Sequence, residues 1–96
     1  MAEASRWEFD WDDANLRHLA RHRISREEFE EAMSSDPVYV DFRDESGEPR
    51  WYVIGMSRKL RLLHLVFTIR GEATRPVTGW DAGRELYEYY FHQKSQ

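Results

Sequence analysis

The chain has 96 residues, the size of one small domain. Hydrophobic residues make up 41% of it and aromatic residues 15%, which supports a packed core and excludes a disordered chain. The net charge of −4 argues against indiscriminate binding to nucleic acid, and the absence of cysteine excludes disulfides and thiolate metal sites.

The sequence has no apolar run near the roughly 20 residues that a membrane-spanning helix needs. The first residues, 1–6, also lack the pattern of a signal peptide. We therefore expect a cytoplasmic protein. We expect one domain over residues 1–96, with an ordered core from about residue 7 to 92.

The N-terminal part predicts a short strand followed by two helices. Residues Trp7–Trp11 alternate large apolar and acidic side chains, as a half-buried strand does. Asp12 or Asp13 then caps a first helix. The residues expected on its buried stripe are Leu16, Leu19, Ala20 and Ile24.

The second helix has a clear start and stop. Ser25 and Glu28 have the spacing of a capping box, so the helix begins there and runs to about Ser34, before Asp36-Pro37. Its buried face is predicted to be Phe29, Ala32 and Met33.

Residues 38–80 predict an antiparallel meander. The expected strands are Val38–Arg43, Arg50–Met56, Arg61–Arg70 and Thr74–Trp80, followed by a helix from about Asp81 to His92. The third is nearly continuously apolar and so central, whereas Pro76 places the fourth at an edge. The predicted fold is α+β, in the order β-α-α-β-β-β-β-α, with the sheet packed against the N-terminal helices and a C-terminal helix.

Basic residues on these strands suggest an RNA surface. Arg70 shares the more polar face of the central strand with His64, and Arg50 and Arg75 come from flanking strands. Guanidinium groups bind phosphate and stabilise its transition-state charge, while histidine can take the proton of a 2′-hydroxyl. Alternatively, Arg50 and Arg75 pair with the acids of residues 41–48, and His64 is an ordinary half-buried strand residue.

Metal and cofactor chemistry are not expected. His18 and His22 have the four-residue spacing of a helical metal site, but the sequence lacks a glutamate directly after His18 and a specific third ligand. Phosphate-binding glycine motifs and a serine elbow are absent as well. We predict no metal site and no cofactor.

Nearly the whole chain, from Phe9 to Tyr90, resembles the BrnT family of bacterial toxins within the RelE/ParE-like group. The order and spacing of the motifs carry the resemblance. In this sequence they are Trp11-Asp12, Arg21-His22, Asp36-Pro37, Glu48-Pro49-Arg50, Gly55, Thr68-Ile69-Arg70-Gly71, Arg75-Pro76-Val77-Thr78 and Tyr90.

The resemblance implies a RelE-like fold and a metal-independent ribonuclease that inhibits translation as the toxin of a type II toxin–antitoxin system. Its partners are then RNA and a cognate BrnA-like antitoxin, through which it forms an oligomer. The residues expected in catalysis are Arg70, Arg75, His22 and His64. Those expected to contact RNA are Arg17, His18, Arg21, Arg50 and Trp80.

Two departures from the family pattern support an alternative. Arg23 stands where the family has glycine, and Gly79-Trp80 stands where it has Ala-Arg. The alternative is a degenerate toxin fold that acts as a protein-binding or regulatory module without nuclease activity, its partner facing the acidic segment from residue 27 to 48. We expect Trp80 to pack in the core against the C-terminal helix, near Tyr87 or Tyr90; otherwise it stacks on a base.

Overall fold

The computed structural model describes residues 7–96; residues 1–6 of the expected domain lie outside this range. The described chain confirms the α+β class. Its elements are α1 (Asp13–Ala20), α2 (Arg26–Ser34), β1 (Val38–Glu45), β2 (Glu48–Met56), β3 (Leu62–Arg70), β4 (Ala73–Asp81) and α3 (Arg84–Lys94). Within residues 7–96, no helix is long and apolar enough to cross a membrane.

The predicted first strand is wrong, so the order is α-α-β-β-β-β-α. Only a single parallel bridge joins Phe9 to Thr74 at the outer edge of β4. The strand cannot continue because Trp11 turns towards α2: its indole N–H donates to Glu30 at 2.8 Å, and its ring packs on Phe29 at 5.4 Å. The alternating aromatic residues therefore act as core side chains.

Both helix starts follow their predicted caps. The Asp12 side chain accepts a hydrogen bond from the Asn15 N–H at 2.8 Å, and Ser25 with Glu28 forms the complete capping box. The predicted face of α2 is buried. The predictions for Leu19 and Ile24 are confirmed, since both are buried, whereas the prediction for Ala20, the last residue of α1, is wrong because it is exposed.

The turn between α1 and α2 needs a left-handed residue. Arg23 has φ +60°, a conformation that costs an L-residue energy and suits glycine. The turn is closed by the Ile24 N–H, which donates to the Leu19 carbonyl at 3.1 Å. This conformation explains why the resembled family has glycine at this position.

The sheet is an antiparallel meander in the order β1-β2-β3-β4, and the prediction of β4 as an edge strand is confirmed. We call the side packed against α1 and α2 the helix face. Its core is Leu19, Ile24, Phe29, Ala32, Met33, Val53, Leu63, Leu65 and Phe67. We call the other side the open face; α3 covers one end of it, where Tyr90 and Leu86 pack near Ile54 and Leu62.

A bulge in β4 overturns the predicted position of Trp80. His64 lies opposite Trp80 and Val66 opposite Thr78, but Phe67 lies opposite Pro76. The extra residue shifts the alternation, so Trp80 lies on the open face while Pro76 lies on the helix face. Trp80 therefore contacts the rings of His64 and His22, and its packing against Tyr87 or Tyr90 stays a prediction. Since β4 continues to Asp81, α3 begins three residues later than predicted, at Arg84.

Candidate functional site

Four rings form a row along one part of the open face and its β4 edge. Tyr52 on β2, His64 on β3 and Trp80 on β4 follow one another, with ring centroids 6.0 and 4.8 Å apart. His22, from the turn after α1, lies 6.3 Å beyond Trp80. We call Tyr52, His64, Trp80 and His22 the ring row. It brings together two predicted catalytic histidines and the predicted RNA-contacting tryptophan.

His64 is a half-buried member of the ring row whose ring nitrogen Nε2 is unusual. Its Nε2 is buried and has no hydrogen-bond partner among the described residues. Burial lowers the pKa of His64, and the nearby Asp41 carboxylate opposes this shift only partly. The imidazole is therefore neutral near pH 7 and has a nitrogen available to a ligand that reaches it.

Two of the predicted arginines share a carboxylate at the end of the sheet where β1 and β2 meet. Arg50 donates from Nε and Nη2 to Glu48 at 3.2 and 3.1 Å, so the expected alternative pairing is confirmed for Arg50. The Nη2 of Arg70 lies 4.0 Å from the other oxygen of Glu48, and this side chain is 59% exposed. Glu48 therefore has a guanidinium beside each of its carboxylate oxygens.

Arg75 has different partners from those expected. It forms ion pairs with Asp10, at 3.4 Å, and with Asp12, rather than with acids of residues 41–48. The reason is tertiary: the bridge between Phe9 and Thr74 brings the start of α1 beside β4. The pKa of Asp12 is lowered first by the Asn15 N–H and then by Arg75, so the carboxylate stays charged. Arg75 thereby joins β4 to α1.

We call Arg50 and Arg70 with Glu48 the arginine cluster. The basic residues of α1 and of the turn after it are not brought into this cluster. Arg17 and Arg21 are exposed on the helix, and His18 is half-buried with its ring 5.9 Å from His22. α1 packs through Leu19 into the helix-face core. In the turn that follows α1, the ring of His22 contacts the ring of Trp80.

Metal ligation finds no support in the part of the chain that the structure describes. No three histidine, aspartate or glutamate side chains lie together there as a cation site. His18 and His22 approach each other as a tilted ring pair without a third ligand beside them. The absence of a metal in the native protein stays a prediction.

Sequence reasoning missed Tyr52, a member of the ring row, and Arg61, which lies beside it. Tyr52 was detectable, since it lies two residues after Arg50 on a predicted strand and therefore shares its face. Arg61 carried no local signal, because its hydrogen-bond acceptors come from distant segments of the chain.

The comparison with protein families identifies the chain. Residues 11–85 match the model of the family described as "Ribonuclease toxin, BrnT, of type II toxin-antitoxin system". The chain belongs to the BrnT family. The match covers most of its length and includes the complete ring row and both arginines of the cluster. No curated protein matches the chain. Membership of the BrnT family implies RNA as the substrate class and an antitoxin as a partner.

Proposed function

We propose that this BrnT-family protein cleaves RNA on the open face of its sheet, without a metal ion, using His64 as the general base. The observation that carries the proposal is the buried, unpartnered Nε2 of His64 between the rings of Tyr52 and Trp80. A general base needs a lone pair that the substrate can reach and a pKa near or below the working pH; because Nε2 is buried, a bound RNA must displace one of the neighbouring rings to reach it. The lowered pKa of His64 meets the second requirement.

The reaction is an internal transfer at phosphorus. His64 accepts the proton of a 2′-hydroxyl as the 2′-oxygen attacks the adjacent phosphorus and the bond to the 5′-oxygen breaks. The products are a 2′,3′-cyclic phosphate and a 5′-hydroxyl. The leaving oxygen takes a proton from an acid, for which His22 is our candidate because its ring lies on the other side of Trp80.

Arg50 and Arg70 supply the positive charge. His64 and Arg70 are six residues apart on β3, about 20 Å along an extended strand, so we propose that the two guanidiniums bind phosphates that flank the cleaved bond. Arg70 is the more available of the two, since its ion pair with Glu48 is 4.0 Å long and its side chain is mostly exposed. Arg75 keeps its predicted catalytic role only if phosphate displaces Asp10 and Asp12 from it.

The ring row accounts for binding of an unpaired base. Trp80 is half-buried on the open face, and base stacking on an aromatic ring contributes about 1 to 3 kcal/mol per base. Stacking on Trp80 places the neighbouring sugar towards His64 or His22. Arg17, His18 and Arg21 on α1 are then contacts for the flanking strand.

In the cell, we propose that the whole chain acts in the cytoplasm as one RelE-like domain that inhibits translation. A BrnA-like antitoxin neutralises it, and an oligomer forms through that antitoxin. Family membership supports the toxin role and the existence of an antitoxin.

One observation favours the protein-binding alternative. Arg50 is already paired with Glu48, and Arg75 with Asp10 and Asp12. An ion pair within the protein competes with phosphate for the same guanidinium. If this competition is too strong, the open face binds RNA poorly and the fold serves protein partners only.

The deciding experiment compares a labelled RNA with the same RNA carrying 2′-O-methyl groups. The folded wild-type protein should cleave the first, with a cyclic phosphate at the product end, and leave the second intact. His64→Gln should slow cleavage by about 10²- to 10⁴-fold. The matched control Arg26→Gln, on an exposed part of α2, should retain the wild-type rate. Intact RNA with the folded wild-type protein would reject the proposal in favour of the protein-binding alternative.

A further inference from the structure

A single guanidinium lies where four elements of the fold meet. Arg61, directly before β3, has a side chain that is 23% exposed. It donates from Nε to Asp81 at 2.7 Å and from Nη1 to the Arg23 carbonyl at 2.6 Å and to Glu28 at 3.0 Å. Its Nη2 donates to the His22 carbonyl at 3.1 Å and to Asp81 at 3.4 Å.

These contacts use the full donor capacity of the side chain. A guanidinium has five N–H groups in a fixed plane, and Arg61 makes five hydrogen bonds. The acceptors belong to the turn after α1, the first turn of α2 and the last residue of β4. The two carboxylates, of Glu28 and Asp81, balance its charge in a mostly shielded position.

Two of the acceptors are directly connected to the ring row. The His22 carbonyl belongs to the residue whose ring lies 6.3 Å from Trp80. Asp81 directly follows Trp80, and its carboxylate receives two of the five bonds. Arg61 therefore binds the backbone of His22 on one side of the gap between the two rings, and it binds Asp81, the residue after Trp80, on the other side.

Local hydrogen bonds fix the shape of this turn, since the N–H groups of His22 and Arg23 donate to Leu19 and Ala20 at 2.9 Å, but they do not join its outer side to the end of β4. Residues 21–23 are exposed, and Arg23 has the left-handed φ of +60°. The two carbonyls that Arg61 binds belong to His22 and Arg23. Ile24 anchors the turn in the core, so without Arg61 these oxygens would bind water and the segment at His22 and Arg23 would lose its polar contact with the end of β4.

We infer that Arg61 is a positioning residue of the ring row: it sets the distance between His22 and Trp80 by holding the turn after α1 against the end of β4. The inference rests on the proposed function for its catalytic consequence. It does not place Arg61 in contact with RNA.

The test is Arg61→Lys, which keeps the charge but has three donors on a flexible stem and no planar fork. We expect cleavage per folded molecule to fall about tenfold to a hundredfold, as misplacement of a catalytic group by about 1 Å does. In NMR spectra, the Cε1–Hε1 resonance of His22 should move towards its random-coil position as the ring-current effect of Trp80 is lost. Arg26→Lys is the matched control, since Arg26 pairs with Glu30 of the same helix at 3.4 Å on the surface.

A merely stabilising role predicts a different result. Folded Arg61→Lys protein would then keep both the His22 resonance and the wild-type cleavage rate, and that outcome would overturn the inference. If Arg61→Lys does not fold, Asp81→Asn weakens the same contacts at a side chain that is 65% exposed, and a smaller shift in the same direction is expected. Should the wild-type protein cleave no RNA, the proposed function fails, while the His22 resonance still decides whether Arg61 positions the rings.

Discussion

His64 couples the charge of the open face to the stability of the fold. Burial disfavours the imidazolium, so the pKa of His64 in the folded protein lies below its ordinary value of 6.5. The unfolded chain then binds the proton more strongly than the folded chain. The contribution of neutral His64 to stability is therefore complete above pH 6.5 and is lost as the pH falls towards the lowered pKa.

We expect the free energy of unfolding to fall between pH 7.5 and pH 5, and His64→Gln to remove part of this fall. Three aspartates have pKa values below the ordinary 3.8, and they affect the free energy of unfolding only at lower pH. They are Asp12, Asp41 and Asp81. Urea unfolding at both pH values measures the effect, with the surface variant Arg26→Gln measured beside it as the control. An unchanged pH dependence in His64→Gln would contradict this assignment.

Replacing Trp80 distinguishes a role of this side chain in core packing from a role in RNA binding. It is half-buried and contacts two histidine rings, so Trp80→Ala should weaken RNA binding by about 1 to 3 kcal/mol. The loss of folding stability should stay below the roughly 3 to 5 kcal/mol typical of a fully buried tryptophan. RNA titration and melting curves measure both, with Tyr87→Ala on exposed α3 as control. Full destabilisation with unchanged RNA affinity would restore the core role predicted from sequence.

Arg23 is held in a backbone conformation that favours glycine. Arg23→Gly should raise the free energy of unfolding by about 0.5 to 1 kcal/mol, because relief of the left-handed strain exceeds the entropy cost of glycine. The control is Arg21→Gly two residues earlier, where φ is −64° and glycine should destabilise. Chemical denaturation compares the two. Destabilisation by both substitutions would show that the Arg23 side chain contributes more than its strain costs.

At the scale of elements, α2 lies unusually close to the sheet. A Cβ on Gly55 of β2 would overlap the backbone carbonyl of Ala32, which cannot move without the whole helix. Gly55→Ala should therefore destabilise the fold by about 1 to 3 kcal/mol or more, the range for overpacking. Gly83→Ala is the control, since a Cβ there meets no atom within 4 Å. Equal melting temperatures for the two variants would show that α2 is not packed this closely.

The β4 bulge shows how one irregular residue changes an element. Before it, Thr74 and Pro76 are buried on the helix face. After it, Thr78 and Trp80 share the open face with Val66 and His64. A strict period of two predicts one face for all four residues, so the position of Trp80 was predicted wrongly even though the span of the strand was nearly right.

For the whole molecule, we expect that a chelator changes neither stability nor RNA cleavage. Among residues 7–96, no group of ligands suits a metal ion, and the proposed mechanism takes its charge from Arg50 and Arg70. Melting temperature and cleavage should be the same with EDTA and with one equivalent of zinc. A zinc-dependent rise in melting temperature that His18→Ala abolishes would contradict this expectation, because a ligand that binds only the folded state must stabilise it.

Local features were predictable because their physics is local. The caps at Asp12 and Ser25, the span of α2 and the four strands follow from side chains within a few residues of each backbone position. The prediction of Phe29 and Met33 in the core also holds, since helical spacing decides which residues share a face. The family resemblance likewise depends on the order of motifs, which the sequence contains in full.

The arrangement of the site depends on contacts between segments that are far apart in the chain. Arg61 lies 38 residues from Arg23 and 39 from His22, the backbone carbonyls to which it donates, and Arg75 lies 63 residues from Asp12. No periodicity relates such pairs, because their distances are set by how the turn after α1, the bulged β4 and the first bridge pack together. The sequence by itself determined the three helices, the four strands of the sheet, most of the core and the family. Tertiary packing decided that the N-terminal segment forms no strand, which arginines are paired, and that His22, Trp80 and His64 lie side by side.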